Sequence, residues 1–261
     1  MIYGDGSEPL AIAHRGGAAL APENSLAAFA LASALGLRYL ETDIRVTADG
    51  QLVCFHDGTL DRVTSAAGPV RSKPLRDLRR LRINGIEPIP TFDEALDAFP
   101  QQCFTVDLKD QAAIEPLVKA LRRKGVAERV CIAGAWDGWL GQVRSDVPEV
   151  TSALGWRSLT ALLTCAKTGL RPPKALATAP FAHVPVTLAR DPIFVERLVA
   201  MSHDIGVRVV PWTVDEPVVI RRLLDVGVDA IITNRPDVLR EVLISRGQWT
   251  PMPSRHEANE P

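Results

Sequence analysis

The chain has 261 residues, 46% of them hydrophobic, enough for one large core or two small ones. Its 30 basic and 31 acidic residues leave a formal net charge of −1, so no whole-molecule field draws it to nucleic acid or to an anionic membrane. A negatively charged substrate would have to be met by locally placed cations.

The N-terminal run MIYGDGSEPL lacks a basic segment followed by an apolar one, so no secretory signal is expected. No stretch offers the roughly 20 apolar residues that cross a bilayer, and a cytoplasmic protein without stable membrane insertion is the expectation. Cys54, Cys103, Cys131 and Cys165 are widely spaced and include no C-x-x-C pair. They read as reduced core thiols rather than zinc ligands or redox centres.

In chain order, β-like runs are expected at 10–14, 39–45, 52–56, 103–109, 129–133, 150–153, 184–187, 208–212 and 230–233. Most are continuously apolar, as strands covered on both faces are. Helical patterns fall between them at 25–35, 92–99, 112–124, 136–144, 158–167, 192–205, 217–225 and 236–245. Gly36, Gly125, Gly206 and Gly227 stand where helix C-caps belong. Seven or eight such units predict an α/β fold, a single (β/α)8 TIM-type barrel over residues 1–246, with an open doubly wound sheet as the alternative. The stretch 57–90 has no place in this rhythm. Within it, Leu75, Leu78 and Leu81 predict a short amphipathic helix over 71–82 with a solvated basic face. Residues 247–261 are expected to form a loose tail.

Ionisable residues gather at strand ends in the first half of the chain. The first strand runs into His14-Arg15-Gly16-Gly17, cationic residues followed by two flexible glycines, which suits an anion site at a barrel mouth. The second carries Glu41-Thr42-Asp43, with both carboxylates on one face. Such a pair repels unless a cation lies between, and oxygen-only ligands favour a hard divalent ion, Mg²⁺ or Ca²⁺. The third strand ends in His56-Asp57, the fourth in Asp107-Leu108-Lys109, and a late strand in Trp212. Each has an ordinary reading alone: a salt-bridged strand end, a core histidine, a solvated lysine, a packed indole. Four consecutive strand-like segments ending in charged residues make those readings hard to hold together.

These residues resemble the glycerophosphodiester phosphodiesterases. The resemblance rests on His14-Arg15-Gly16-Gly17, Pro22-Glu23-Asn24-Ser25, Glu41-Thr42-Asp43, Phe55-His56-Asp57, Leu60-Asp61-Arg62, Ile89-Pro90-Thr91-Phe92, Val210-Pro211-Trp212-Thr213 and Ile232-Thr233-Asn234-Arg235-Pro236, in order. It implies a TIM-type barrel that hydrolyses small glycerophosphodiesters to glycerol 3-phosphate and an alcohol. It assigns one divalent cation to Glu41, Asp43 and Asp107, although Asp107 stands where the family usually has the longer glutamate. Asn234 and Ala230 replace a frequent aspartate and glycine. His14 and His56 are the expected general acid–base pair, and the resemblance favours His56 as the acid. Arg15 and Lys109 would bind the phosphoryl oxygens. Asn24 would contact substrate or cap a helix, and Trp212 would stack on substrate or pack in the core. His183, His203 and His256 receive no role, and Asp229 reads as a turn partner. A phospholipase acting on intact lipids and a non-catalytic barrel that binds phosphorylated ligands are the rival readings. Oligomeric state, head-group preference and the choice between direct water attack and a cyclic phosphate stay open.

Overall fold

The computed structural model describes residues 2–6, 9–188 and 191–252. Its strands are β1 (Leu10–Ala13), β2 (Tyr39–Val46), β3 (Leu52–Cys54), β4 (Arg82–Ile83), β5 (Glu87–Pro88), β6 (Cys103–Leu108), β7 (Val130–Ala133), β8 (Thr151–Ser152), β9 (Phe181–Pro185), β10 (Arg208–Trp212) and β11 (Ala230–Thr233). Its α-helices are α1 (Leu26–Ala34), α2 (Leu75–Leu78), α3 (Phe92–Ala98), α4 (Ile114–Leu121), α5 (Asp137–Asp146), α6 (Trp156–Thr168), α7 (Pro192–Asp204), α8 (Pro217–Asp225) and α9 (Pro236–Ser245). Parallel pairing runs in the order β11-β1-β2-β6-β7-β8, β9 pairs with β10, and a bridge from Ala153 to Phe181 links the two sets. Between β10 and β11 there are two backbone bonds, Asp229 N–H to Val209 O and Val214 N–H to Ile232 O, both 3.0 Å, and no ladder. The fold is therefore α/β with a curled parallel sheet that does not close into one continuous ladder.

Side-chain parity follows the pleat, since alternate residues on a strand face opposite sides. Leu40, Ile44, Phe104 and Val106 pack outward under the helices. Leu10, Ile12, Tyr39, Cys103, Cys131, Phe181, Val210 and Ile232 face inward. Tyr3 plugs the floor, edge-on to Tyr39 at 5.1 Å and to Phe181 at 5.5 Å, with its hydroxyl 2.5 Å from Thr105 Oγ1. The helices sit on the outer face; Phe29 of α1 is fully buried edge-on against Phe99 and Phe104. Burying such a ring stabilises the fold by about 3 kcal/mol. All four cysteines are free, and three of them are buried.

Three expectations are corrected. Residues 52–56 do not supply a third parallel strand: β3 returns antiparallel to β2, with Ile44 opposite Cys54 and Val46 opposite Leu52. The link is too short for a parallel crossover. It is a tight turn in which Thr47 N–H bonds Gln51 O at 2.9 Å and Gly50 takes φ +75°. The following stretch is an insertion with its own small core of Val53, Phe55, Leu60, Val63, Val70, Leu78, Ile83 and Ile89. Its helix spans Leu75–Leu78 only, because Pro74 and the 3₁₀ turn Val70–Ser72 break the pattern before it. The strand expected at 184–187 lies three residues earlier, as β9.

The tail begins differently from a loose segment: Trp249 lies near Arg240, and Met252 N–H bonds Gly36 O at 3.2 Å. The rest of it, with His256, lies outside the described residues. Among the described residues no helix is long and apolar enough to cross a membrane.

Candidate active site

The inward parity that packs the floor carries polar residues at the carboxyl ends of the strands. On β2 and β6, Tyr39 pairs with Cys103, then Glu41 with Thr105, then Asp43 with Asp107. Two residues beyond Ile12, the chain turns at His14. Arg15 there takes φ +50°, and Gly16 and Gly17 take φ +81° and +96°. A Cβ on Gly16 would lie 2.6 Å from the Phe29 ring, and one on Gly17 2.9 Å from Pro236, so both must be glycine. This turn aims the Arg15 amide at Glu41, N–H to Oε2 2.6 Å.

His14, Arg15, Glu41, Asp43, His56, Asp107, Lys109 and Trp212 all line one cavity of about 250 Å³. His56 reaches it from the return arm after β3, docked by Phe55 N–H to Asp43 O at 2.9 Å and Arg45 Nε to His56 O at 2.9 Å. Asn24 does not line the cavity. It is 1% exposed beneath it, with φ +56°. Its Nδ2 donates to Asp43 Oδ2 at 3.0 Å, and its Oδ1 accepts from Thr42 Oγ1 at 2.8 Å and Asp43 N–H at 3.2 Å. Of the two roles expected of Asn24, a substrate contact or a helix cap, neither is seen in these bonds, which hold Thr42 and Asp43 in place. Helix α1 is capped instead by Ser25, whose Oγ accepts from Ala28 N–H.

The charges are strongly interdependent. Burial, then the neighbouring charge of Asp43, pushes the Glu41 carboxyl well above the usual range, and Asp107 adds to this. Burial would raise Asp43 too, but Lys109 Nζ at 3.0 Å and Arg15 Nε at 3.3 Å hold it low. Lys109 also donates to Asp107 Oδ2 at 2.6 Å, and despite its burial Asp107 and Asp43 keep the ammonium protonated. Among the described residues no three His, Cys, Asp or Glu side chains stand in metal-ligating geometry, and Lys109 lies between two of the expected ligands. Arg15 Nε makes no hydrogen bond of good geometry; it is buried against the Asp43 carboxylate at 3.3 Å, so the Arg15 charge is shared between Asp43 and Glu23 at the cavity wall.

The two histidines are anchored differently. Asn234 Nδ2 donates to Asp215 Oδ2 at 2.8 Å, which leaves its Oδ1 to accept from His14 Nδ1 at 2.7 Å. His14 Nε2 is then the free lone pair, 4.0 Å from Glu41 Oε2. Burial lowers the His14 pKa, against the opposing pull of the Asn234 bond, so the ring is neutral near pH 7. His56 Nδ1 lies 2.6 Å from Asp57 Oδ1, and Asp57 Oδ2 accepts from Arg62 Nε at 2.5 Å. Burial works against the Asp57 carboxylate, yet Arg62 and His56 bring its pKa down to about 2. Arg62 also clasps Glu23 with two nitrogens at 2.9 and 2.6 Å, and Glu23 accepts from Arg15 NH1 at 2.9 Å. An unbroken chain of charged hydrogen bonds therefore joins the two sides of the cavity, from Arg15 through Glu23, Arg62 and Asp57 to His56.

Sequence reasoning missed several of these residues. His183 lines the cavity on β9, its pKa lowered to about 4 by burial. Its inward parity with Phe181 is hidden when the strand is begun at 184. Trp136, Trp139 and Trp156 also line it, just after β7 and β8. The readable signal was position: Trp136 and Trp156 each follow a strand end within a few residues. Asp229 is structural, as expected, accepting from Val209 N–H at 2.7 Å and bonded to His203 at 2.9 Å.

The model of the glycerophosphoryl diester phosphodiesterase family matches residues 14–238. A probable glycerophosphodiester phosphodiesterase 2 of Mycobacterium tuberculosis is 37% identical over 92% of this chain and 92% of its own. A glycerophosphodiester phosphodiesterase of Caldanaerobacter subterraneus is 32% identical over 88% of this chain and 96% of its own. Among solved structures, a putative glycerophosphoryl diester phosphodiesterase from Silicibacter pomeroyi superposes with a TM-score of 0.78 at 25% identity, covering 94% of this chain and 96% of that one. An Oleispira antarctica phosphodiesterase in complex with the product sn-glycerol-3-phosphate superposes at 0.75 with 23% identity, covering 91% and 97%. With the motifs in order, the charged cavity at the strand ends and relatives matched across nearly the whole chain, this protein belongs to the glycerophosphoryl diester phosphodiesterase family and is a phosphodiesterase of that class.

Proposed function

We propose that the site hydrolyses glycerophosphodiesters to glycerol 3-phosphate and an alcohol, with His14 as general base, His56 as general acid and one divalent cation, Mg²⁺ or Ca²⁺, held by Glu41, Asp43 and Asp107. One observation carries this reading: His14 and His56, two cationic donors and three carboxylates face a single cavity of about 250 Å³, which His183 also lines. The same proposal takes residues 1–246 as one catalytic TIM-type barrel, acting in the cytoplasm, where free thiols persist. It involves no nucleic acid and no stable membrane insertion.

The donor set fits a hard cation. All three ligands offer oxygen, and Glu41 and Asp43 are buried beside each other, close enough that the Asp43 charge helps to push the Glu41 carboxyl up after burial itself. The Lys109 ammonium supplies positive charge from between Asp43 and Asp107. A bound cation would add Lewis-acid polarisation of the phosphoryl group.

The chain's own groups account for the rest. Arg15, which lines the cavity, offers its guanidinium charge to a non-bridging oxygen, and Lys109 adds a point charge as negative charge grows in the transition state. His14, neutral and held by Asn234, takes the proton of the attacking oxygen at Nε2. His56, turned by Asp57, gives a proton to the departing alcohol, and the Asp57 carboxylate balances the imidazolium charge. Each histidine is worth about 10²- to 10⁴-fold in rate.

The test is release of glycerol 3-phosphate from glycerophosphocholine, with and without EDTA, in wild type and His56→Ala. Loss of turnover in both the chelated and the mutant enzyme is expected. Near-wild-type turnover in folded His56→Ala refutes the acid assignment, and full activity in EDTA refutes the metal.

A further inference from the structure

The cavity has two unlike walls. The charged groups come from β1, β2, β6 and the arm bearing His56, whereas from Ala133 to Leu159 every residue lining the cavity is apolar. Trp136, Trp139 and Trp156 form the outer part of that second wall, with Leu154 and Leu159 behind them and Leu108 at the junction. Trp136 is 61% exposed and Trp156 45% exposed, an unusual state for the largest apolar side chains in the chain. They are nonetheless held firmly. Trp156 N–H bonds Ala135 O at 2.9 Å, and Asp137 accepts from Arg157 N–H at 3.0 Å and Ser158 Oγ at 2.5 Å, tying the loops after β7 and β8 together. Trp136 and Trp139 lean on each other, ring centroids 5.8 Å apart.

Resting on the phosphodiesterase reading above, we propose that this wall is a subsite for an alkyl chain, so that the preferred substrate is a glycerophosphodiester with one arm extended by a hydrocarbon chain. Once the phosphoryl group is seated on Arg15 and Lys109, one arm of the diester must leave along the second wall, which continues the same cavity. A small cationic head group would gain cation–π contact with the indoles but would leave the aliphatic surface of Leu108, Leu154 and Leu159 uncovered. A chain of methylenes matches the aliphatic and indole surface and would cover the exposed rings. Because the loops are pre-ordered, little conformational entropy is lost on binding.

The experiment measures kcat/KM for glycerophosphocholine and two homologous series kept below their aggregation concentrations. In one series glycerol phosphate is esterified to linear alkanols of two to eight carbons, read by glycerol 3-phosphate release. In the other a short acyl chain sits on the glycerol of the choline diester, read by choline release. Each methylene buried raises kcat/KM about fourfold, so at least one series rises steeply over its first members and then levels off; which series rises identifies the arm. The Trp136→Ala/Trp156→Ala double variant flattens the rise relative to its own glycerophosphocholine rate, while Trp136→Phe/Trp156→Phe keeps most of it. A wild-type enzyme that cleaves glycerophosphocholine but shows no chain-length dependence in either series overturns this inference alone, and so does an equally steep rise in the folded alanine variant. Failure to cleave any diester overturns the phosphodiesterase reading and this inference with it.

Discussion

Asn24 gives the sharpest test of how the site is built. Replacement by alanine removes three hydrogen bonds from a position with 1% exposure: one donated to the Asp43 carboxylate, and one accepted from each of the Thr42 hydroxyl and the Asp43 amide. A bond to a charged partner contributes about 1.5–3 kcal/mol, and each buried donor left unpaired costs about 1 kcal/mol or more. Alanine must also hold φ +56°, which costs a further 1 kcal/mol or so. Together these give a loss of about 4.5–6 kcal/mol, equivalent to a fall in Tm of roughly 10–20 °C for a chain of this size. Asn24→Gly separates the contributions, because glycine adopts the left-handed backbone freely while losing the same side chain; it should recover about 1 kcal/mol. Urea denaturation of the three proteins measures the losses, and kcat/KM on glycerophosphocholine measures the misplacement of Asp43. If Asn24→Ala loses less than about 1 kcal/mol, or if Gly and Ala are equal, the buried bonds or the backbone conformation do not hold the carboxylate as argued.

Three further outcomes are expected. Arg62→Ala should leave stability within about 1 kcal/mol, since its side chain is 47% exposed, yet lower kcat by roughly 10- to 100-fold by releasing Asp57 and His56; a change confined to KM argues against it, and Arg62→Lys, which cannot clasp Glu23 with two nitrogens, should rescue only in part. Asn234→Asp would put a carboxylate against His14 Nδ1 and raise that pKa. His14 must be neutral to accept a proton, so the acid limb of the kcat/KM profile should move to higher pH, and an unmoved limb excludes His14 as the base. His183 takes a proton near pH 6.5 when unfolded but only at about 4 in the fold. The unfolded chain therefore binds more protons between those values, and stability should fall as pH drops from 6.5 toward 4, by about 1–3 kcal/mol because the ring partly faces cavity water. His183→Leu should flatten that slope in denaturation at pH 4.5 and 7.5; an unchanged slope sinks the assignment.

The charged half of the site was legible in the sequence because it breaks a strong pattern. Glu41, Asp43, Asp107 and Lys109 interrupt or end apolar strands, and period-two geometry sends alternate ones inward at a common level, as the Asp43–Asp107 register shows. Only a site compensates for placing so many charges at the end of a core. His56 was found for a partly wrong reason. It was placed at the end of a parallel strand, whereas the turn at 47–51 sends β3 back antiparallel, and one backbone bond from Phe55 to Asp43 brings the imidazole over the cavity. The chain from Glu23 through Arg62 to Asp57 could not be read, because surface Arg–carboxylate pairs leave no trace in periodicity.

The apolar wall was hidden for the opposite reason. An indole at the start of a helix conforms to every core pattern, so nothing in the sequence marks Trp136 or Trp156 as exposed. Local pattern reports only what a side chain would do if covered, and whether it is covered depends on neighbouring loops. Here the loops after β7 and β8 are bound to each other through Asp137, Arg157 and Ser158 rather than folded over the cavity. That arrangement leaves the indoles on the same cavity as the charged groups, partly exposed. If the charged wall acts as proposed, it delivers the same chemistry to any glycerophosphodiester, and discrimination among diesters would fall to the apolar wall and to loops whose sequence carries no catalytic signature.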